Sequence, residues 1–310
     1  MIWSFILLVI GFVLLIKGAD VFVDASSKIA MKFNVPQIVI GLTIVAFGTS
    51  APEAAVSLTA AFSGSVGITV GNIVGSNIMN VLLILGISSL FSVLKIQKTT
   101  VKYEMPLIIF VSIMMAVLGM TGNMLSRFDG VILWVIFIGF FVYLIRLSKT
   151  KDNEEEEELT EKDTMPRLLL FVAIDIAGII IGSNLTVNGA TEIARIIGIS
   201  DRIIGLTIVA FGTSLPELVT SVIASRRGKA DIAVGNIIGS NLFNILFVIG
   251  TVSLIHPIPF AADFYLDSVV CILTVVLLFL LTARRCELNK KGGTIMLLCY
   301  AVYFVHLVMA

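Results

Sequence analysis

The chain has 310 residues, 58% of them hydrophobic and 14% charged, with a mean hydropathy of +1.06. Its 21 basic and 21 acidic residues cancel, so no charge excess points to a nucleic-acid partner. A soluble chain of this length would carry far more charged surface. The recurring runs of about 20 apolar residues, long enough to span a hydrocarbon core as helix, predict an all-α membrane protein.

The apolar stretch Met1 to Ile16 has no basic segment before it, so it reads as a retained first helix over 2–26 and not as a cleaved leader. Helices are then expected over 36–62, 68–92, 103–121 and 129–147. A linker over 148–166 carries Asp152, Glu154 to Glu158, Glu161 and Asp163, a charge run expected as a solvated loop. Five more helices are expected over 167–194, 202–225, 231–254, 264–283 and 293–309. The three cysteines, Cys271, Cys286 and Cys299, lack metal-ligand spacing.

This reading gives ten transmembrane helices. Of the 21 Lys and Arg, seventeen fall in loops or helix ends on one side of the membrane, Arg127, Arg195 and Arg202 on the other, and Lys17 within the first helix. Basic residues mark the cytoplasmic side, which predicts both termini outside and the linker inside. The expected organisation is a first half over 1–147, a cytoplasmic acidic linker over 148–166 and a second half over 167–310. Five helices is an odd number, so the second half enters inverted. Two inverted five-helix repeats are an architecture of secondary transporters, with the site near the midplane where the halves meet.

The halves carry the same polar motifs. Residues 41–53 read GLTIVAFGTSAPE and residues 205–217 read GLTIVAFGTSLPE; GNIVGSNIMN at 71–80 returns as GNIIGSNLFN at 235–244. Each first motif places a glutamate, Glu53 or Glu217, inside a membrane-length stretch, where an ionisable residue marks a functional site. No Lys or Arg occurs in the second, third or eighth expected helix to pair with them, and the seventh has only Arg202, at its outer end. Pro52 and Pro216 interrupt the helix one residue before each glutamate, and broken helix at membrane depth belongs where it is buried or lines a cavity. Carbonyls near Ala46 and Phe47, and near Ala210, are expected to turn toward an ion. Thr49 and Ser50 lie i,i+4 and i,i+3 from Glu53, so all three share one face, as Thr213 and Ser214 do with Glu217. Asn72, Ser76 and Asn80 form a polar stripe on the third helix, and Asn236, Ser240 and Asn244 repeat it on the eighth. For Asn72 and Asn236, a supporting role and simple interhelical hydrogen bonding are equally consistent with the sequence. Gly71, Gly75, Gly235 and Gly239 are expected to let backbones approach closely. The pooled ligands are carboxylate, hydroxyl, amide and carbonyl oxygens, a set that selects hard cations over soft transition metals. Elsewhere, Lys17 and Asp20 are spaced to pair on the first helix. Asp175 lies on the sixth, with pairing and an access-path role both open.

The doubled GTSxPE with its following GNxxGSNxxN resembles the sodium/calcium exchangers of the cation/calcium exchanger superfamily, most closely their prokaryotic inner-membrane members, over the whole chain. The resemblance implies that Glu53 and Glu217 are the central Ca²⁺ ligands, with Thr49 and Thr213 adding backbone oxygen. It implies flanking Na⁺ sites from Ser50, Ser76, Ser214 and Ser240 with the carbonyls of Ala46 and Ala210, and places Asn80 and Asn244 at the centre. Helices 1 and 6 would slide as a pair to expose the site to each side in turn. Potassium-dependent relatives carry aspartate at the position of Asn244, so the amide here implies K⁺-independent exchange. The partners implied are Na⁺, Ca²⁺ and the bilayer, with no cofactor and no obligate protein partner. Rival readings are a proton/calcium exchanger of the same superfamily and a cation channel. An enzyme is not expected, because His256 and His306 lie away from both motifs.

Overall fold

The computed structural model describes residues 2–62, 67–149, 159–160, 163–198 and 210–309. Asp152, the glutamates of the linker and the start of the expected seventh helix, Arg202 included, lie outside the described residues. The rest is almost entirely helical. In chain order the helices are α1 (Ile2–Phe33), α2 (Gln37–Thr49), α3 (Ala51–Phe62), α4 (Thr69–Phe91), α5 (Thr100–Gly122) and α6 (Arg127–Leu147). The second half supplies α7 (Met165–Ile196), α8 (Ala210–Thr213), α9 (Leu215–Arg226), α10 (Ala230–Ile255), α11 (Asp263–Thr282) and α12 (Lys290–Met309).

Among the described residues, seven helices are long and apolar enough to cross a membrane, and an eighth span results if the bent pair α2 and α3 is counted as one. The ten expected crossings are thus matched in part. The one over 36–62 is broken at Ser50. The one over 202–225 is described from residue 210 and is broken at Ser214. The one over 293–309 is present as the 20-residue α12.

The core is α4 and α10, which are buried along most of their length, while α1, α6 and α7 keep wide apolar faces outward. The outward Ile, Val and Phe side chains of α6, such as Val135 and Ile138, need no partner in lipid. The long helices α1 and α7 lie antiparallel along a glycine seam. A Cβ at Gly11 would stand 2.7 Å from the Gly182 carbonyl, and one at Gly189 would stand 2.6 Å from the Ser4 carbonyl. Small residues permit this backbone contact, which supplies packing where no hydrophobic drive exists between helices. A second close approach joins α2 to α10, where a Cβ at Gly41 would lie 3.0 Å from the Gly235 Cα. Gly239 packs likewise on Leu42 and Ala46. The close approaches expected at Gly235 and Gly239 are therefore present, while Gly71 faces the Phe264 ring.

Two short antiparallel ribbons tie the halves together. Strand β1 (Leu94–Lys95) pairs with β4 (Glu287–Leu288), and β2 (Met124–Leu125) pairs with β3 (Ile258–Pro259). They sit at opposite ends of α5, since β1 precedes that helix and β2 follows it. Beside the β1 end, Arg227 reaches α1, pairing with Asp20 at 2.6 Å and Asp24 at 3.4 Å, and Lys28 pairs with Asp24 at 3.0 Å and Asp163 at 3.3 Å. Asp20 therefore pairs across to another helix instead of with Lys17, because Arg227 closes the turn after α9 directly against it. Asp175 lies on the α1–α7 seam, where its Oδ2 is buried and has no hydrogen-bond partner among the described residues.

Candidate functional site

Each repeat breaks its helix at a serine. Ser50, between α2 and α3, has φ −84° and ψ 8°; Ser214, between α8 and α9, has φ −90° and ψ 5°. Both occupy the sparsely allowed bridge region, where many active-site residues sit. The proline two residues on is the cause. Pro52 and Pro216 have no N–H, so the carbonyls of Gly48 and Gly212 lose their helical donor and the axis bends, by 49° in the first half. Ser183 of α7 donates to the Gly212 carbonyl at 2.7 Å and replaces that donor. The Ala46 carbonyl, expected to be freed, keeps a helical partner in the Ser50 amide at 3.0 Å, because the proline removes the donor to Gly48 and not to Ala46. Its remaining capacity faces the Thr49 and Ser240 hydroxyls at 3.3 and 3.4 Å. Ala210 opens α8.

The breaks put Glu53 and Glu217 in the first turn of α3 and α9, at the positive end of each helix dipole. Both are fully buried. The Ser50 hydroxyl donates to Glu217 Oε1 at 2.8 Å, and the Ser214 hydroxyl donates to Glu53 Oε1 at 3.1 Å. The serine of each break thus holds the carboxylate of the other half. Thr213 stands beside Glu53, and Thr49 beside Glu217.

From α4 and α10 come the amides. Asn72 donates to the Glu53 carbonyl at 3.3 Å and to Ser57 at 3.0 Å; Asn236 donates to the Glu217 carbonyl at 3.5 Å and to Ser221 at 2.9 Å, and accepts from Thr49 at 3.0 Å. These two brace the broken helices. Asn80 opens the π-helical turn Asn80–Leu85 and Asn244 lies in the turn Phe243–Ile249. Such turns frequently occur at functional sites, and apolar periodicity does not reveal them. Asn77 and Asn241 are also buried here and bond to Asn244 and Asn80 at 3.1 and 3.0 Å. Neither lies on the four-residue stripe of its helix, although each stands within the repeated GSN.

Among the candidate ligands, four buried oxygens have no hydrogen-bond partner among the described residues: Glu53 Oε2, Glu217 Oε2, Asn80 Oδ1 and Asn244 Oδ1. They form two pairs related by the sequence repeat. Leaving such an acceptor bare costs about 1–3 kcal/mol, and more for a charged one. Carboxylate and amide oxygens are ligands that hard cations take. Two flanking oxygen pairs, Ser214 with Ser76 and Ser240 with the Ala46 carbonyl, stand 3.4 Å apart. That separation suits adjacent ligands around a cation with oxygen distances of about 2.4 Å. No cluster of three His, Cys, Asp or Glu that could hold a metal ion exists among the described residues. A ring cluster supports the first break from behind, with Phe47 4.7 Å from Phe243 and further contacts to Phe137 and Phe141 of α6.

The chain matches the family described as sodium/calcium exchanger protein over residues 3–146 and 167–309. It is 39% identical to the putative antiporter CaxA of Alkalimonas amylolytica, over 98% of each chain. It is 34% identical to the inner membrane protein YrbG of Escherichia coli (strain K12), over 94% of this chain and 92% of that one. The solved structure of the sodium-calcium exchanger NCX_Mj soaked with Na⁺ and Sr²⁺ matches with a TM-score of 0.86 at 33% identity, covering 98% of each chain. Both motif-bearing halves fall within the family match, and the chain belongs to the sodium/calcium exchanger protein family.

Proposed function

We propose that this protein is a secondary antiporter that exchanges Na⁺ for Ca²⁺ by alternating access and does not require K⁺. The observation that carries the reading is the set of four buried oxygens left bare by Glu53, Glu217, Asn80 and Asn244. Two carboxylates match the charge of one Ca²⁺ or of two Na⁺. Holding both cargoes together would leave excess charge in a medium of low dielectric, which is costly. The ions therefore compete, and competition at one site is the condition for exchange. In this assignment Glu53 and Glu217 with Thr49 and Thr213 bind Ca²⁺. Ser50, Ser76, Ser214, Ser240 and the carbonyls of Ala46 and Ala210 bind Na⁺, Asn80 and Asn244 serve the centre, and Asn72 and Asn236 brace it.

The two ribbons support an inverted arrangement of the halves 1–147 and 167–310. Leu94 and Lys95 of β1 correspond by the 164-residue repeat to Ile258 and Pro259 of β3, and these equivalent strands lie at opposite ends of α5. Access is supported by a cavity of about 770 Å³ that reaches Asn72 and Ser76 from the end where α1 begins and α12 ends, past Phe12, Thr186, Phe264 and Tyr303. At the other end Arg227 holds α1 to the turn after α9, and Lys28 holds it to Asp163, just before α7. The cavity end is outside by the distribution of basic residues, and the linker is cytoplasmic.

The test is ⁴⁵Ca²⁺ flux in proteoliposomes under imposed Na⁺, K⁺ or H⁺ gradients. A Na⁺ gradient should drive Ca²⁺ equally well in K⁺ or in an inert organic cation. Flux that follows only the H⁺ gradient would assign the protein to proton/calcium exchange. Flux without saturation or counter-transport would make it a channel.

A further inference from the structure

We propose that Asn77 and Asn241 are positioning residues of the cation site, each fixing the amide ligand supplied by the opposite half. The proposal rests on the exchanger reading above and names a part of the site that the ligand set omits.

Four asparagines meet where α4 and α10 cross. Asn77 Nδ2 donates to the main-chain carbonyl of Asn241, and Asn241 Nδ2 donates to that of Asn77, both at 3.3 Å. This reciprocal pair engages the N–H side of each amide and presents each Oδ1 as an acceptor. Asn77 Oδ1 accepts from Asn244 Nδ2 at 3.1 Å, and Asn241 Oδ1 accepts from Asn80 Nδ2 at 3.0 Å. All four residues are 0 or 1% exposed, so water does not compete for these bonds.

The closed set admits one orientation of each ligand. Were Asn80 to turn its amide over, its oxygen would meet the Asn241 oxygen, acceptor against acceptor, and its NH₂ would face a site meant for a cation. With the set intact, the atoms left over are Asn80 Oδ1 and Asn244 Oδ1, both without partners among the described residues. The pairing is crosswise, like that of Ser50 with Glu217 and Ser214 with Glu53. Carboxylate and amide ligands of one half are both held by residues of the other.

A bridge that only joined α4 to α10 would contain the same bonds between Asn77 and Asn241. The two roles separate in a mutant cycle. Ca²⁺ affinity is read as the KM of flux and, independently of transport, as the Ca²⁺ concentration that half-maximally raises the unfolding temperature in detergent. Asn77→Ala should raise both by about 10- to 100-fold, the usual effect of removing a group that orients a metal ligand. Combined with Asn244→Ala, it should raise them no further than Asn244→Ala alone. Combined with Asn80→Ala, the two effects should multiply. Asn77→Asp keeps the acceptor for Asn244 but loses the donor to Asn241, so it should retain more Ca²⁺ affinity than Asn77→Ala at a similar cation-free unfolding temperature. Multiplying effects for both pairs, or equal affinity loss in the Asp and Ala variants, would overturn the proposal. A parent protein blind to Ca²⁺ in both readouts would overturn the exchanger reading itself.

Discussion

At the scale of single residues, the proposed function rests on two buried carboxylates, Glu53 and Glu217, that no cationic side chain among the described residues neutralises. Glu53→Gln and Glu217→Gln each remove one of two negative charges from a divalent site while keeping its shape. Near-total loss of Ca²⁺ flux is expected in both, with unchanged size-exclusion behaviour in detergent; parental flux from either would remove it from the centre. Asn244 tests the coupling ion. With only two carboxylates ionised, K⁺ bound beside Ca²⁺ would lack a compensating charge, at a cost on the order of several kcal/mol. Asn244→Asp supplies that charge and should change ion selectivity, measured as Ca²⁺ flux with and without K⁺, more than it changes unfolding temperature. The candidates at this scale were legible because an acid in a membrane-length apolar run, repeated with its neighbours, has few purely structural explanations. Asn77 and Asn241 were not, since their significance lies in a partner 164 residues away.

Among elements, the decisive features are helices that break and helices that touch. The breaks could be read from Pro52 and Pro216. The seam between α1 and α7 could not, because glycines spaced along two separate segments do not announce which segment each will meet. A Cβ at Gly182 would stand 2.8 Å from both the Gly11 carbonyl and the Leu15 amide, and backbone cannot move aside as a side chain can. Gly182→Ala is therefore expected to destabilise by about 1–3 kcal/mol, read as a lower unfolding temperature in detergent. Gly139→Ala on α6, where a Cβ meets nothing within 4 Å among the described residues, should be close to neutral. The linker end adds a titrating contact. The Thr160 hydroxyl and amide, with Lys28, hold the Asp163 carboxyl down at about 2, from an ordinary value of 3.8. A carboxyl lowered on folding contributes stability above its unfolded value and loses it as pH falls through the folded one. Asp163→Asn should thus unfold at a lower temperature than the parent at pH 7, and the difference should close between about pH 4 and pH 2. A gap that persists at pH 2 would show that the contact is not ionic.

For the whole molecule, the open question is how the halves sit in the bilayer. Met124, in β2 before α6, and Lys149, beyond its end, are both exposed and bracket one crossing. Met124 serves better than its neighbour Asn123, whose φ of 52° would strain a substituted cysteine. In a background with Cys271, Cys286 and Cys299 replaced by serine, an impermeant thiol reagent applied outside should label Met124→Cys and spare Lys149→Cys. The reverse pattern would invert the orientation, and labelling of both would cancel that crossing. Amino-acid order alone determined a helical membrane protein, its internal duplication and its candidate ligands, because hydropathy, proline chemistry and the expense of buried charge act locally along the chain. Only tertiary structure decided that Ser50 holds Glu217 while Ser214 holds Glu53, that Arg227 pairs with Asp20, and that Asn77 and Asn241 hold Asn244 and Asn80 across α4 and α10. Each of those contacts joins segments from opposite halves, and a hydrogen bond depends on distance and direction in space, which neither periodicity nor composition encodes.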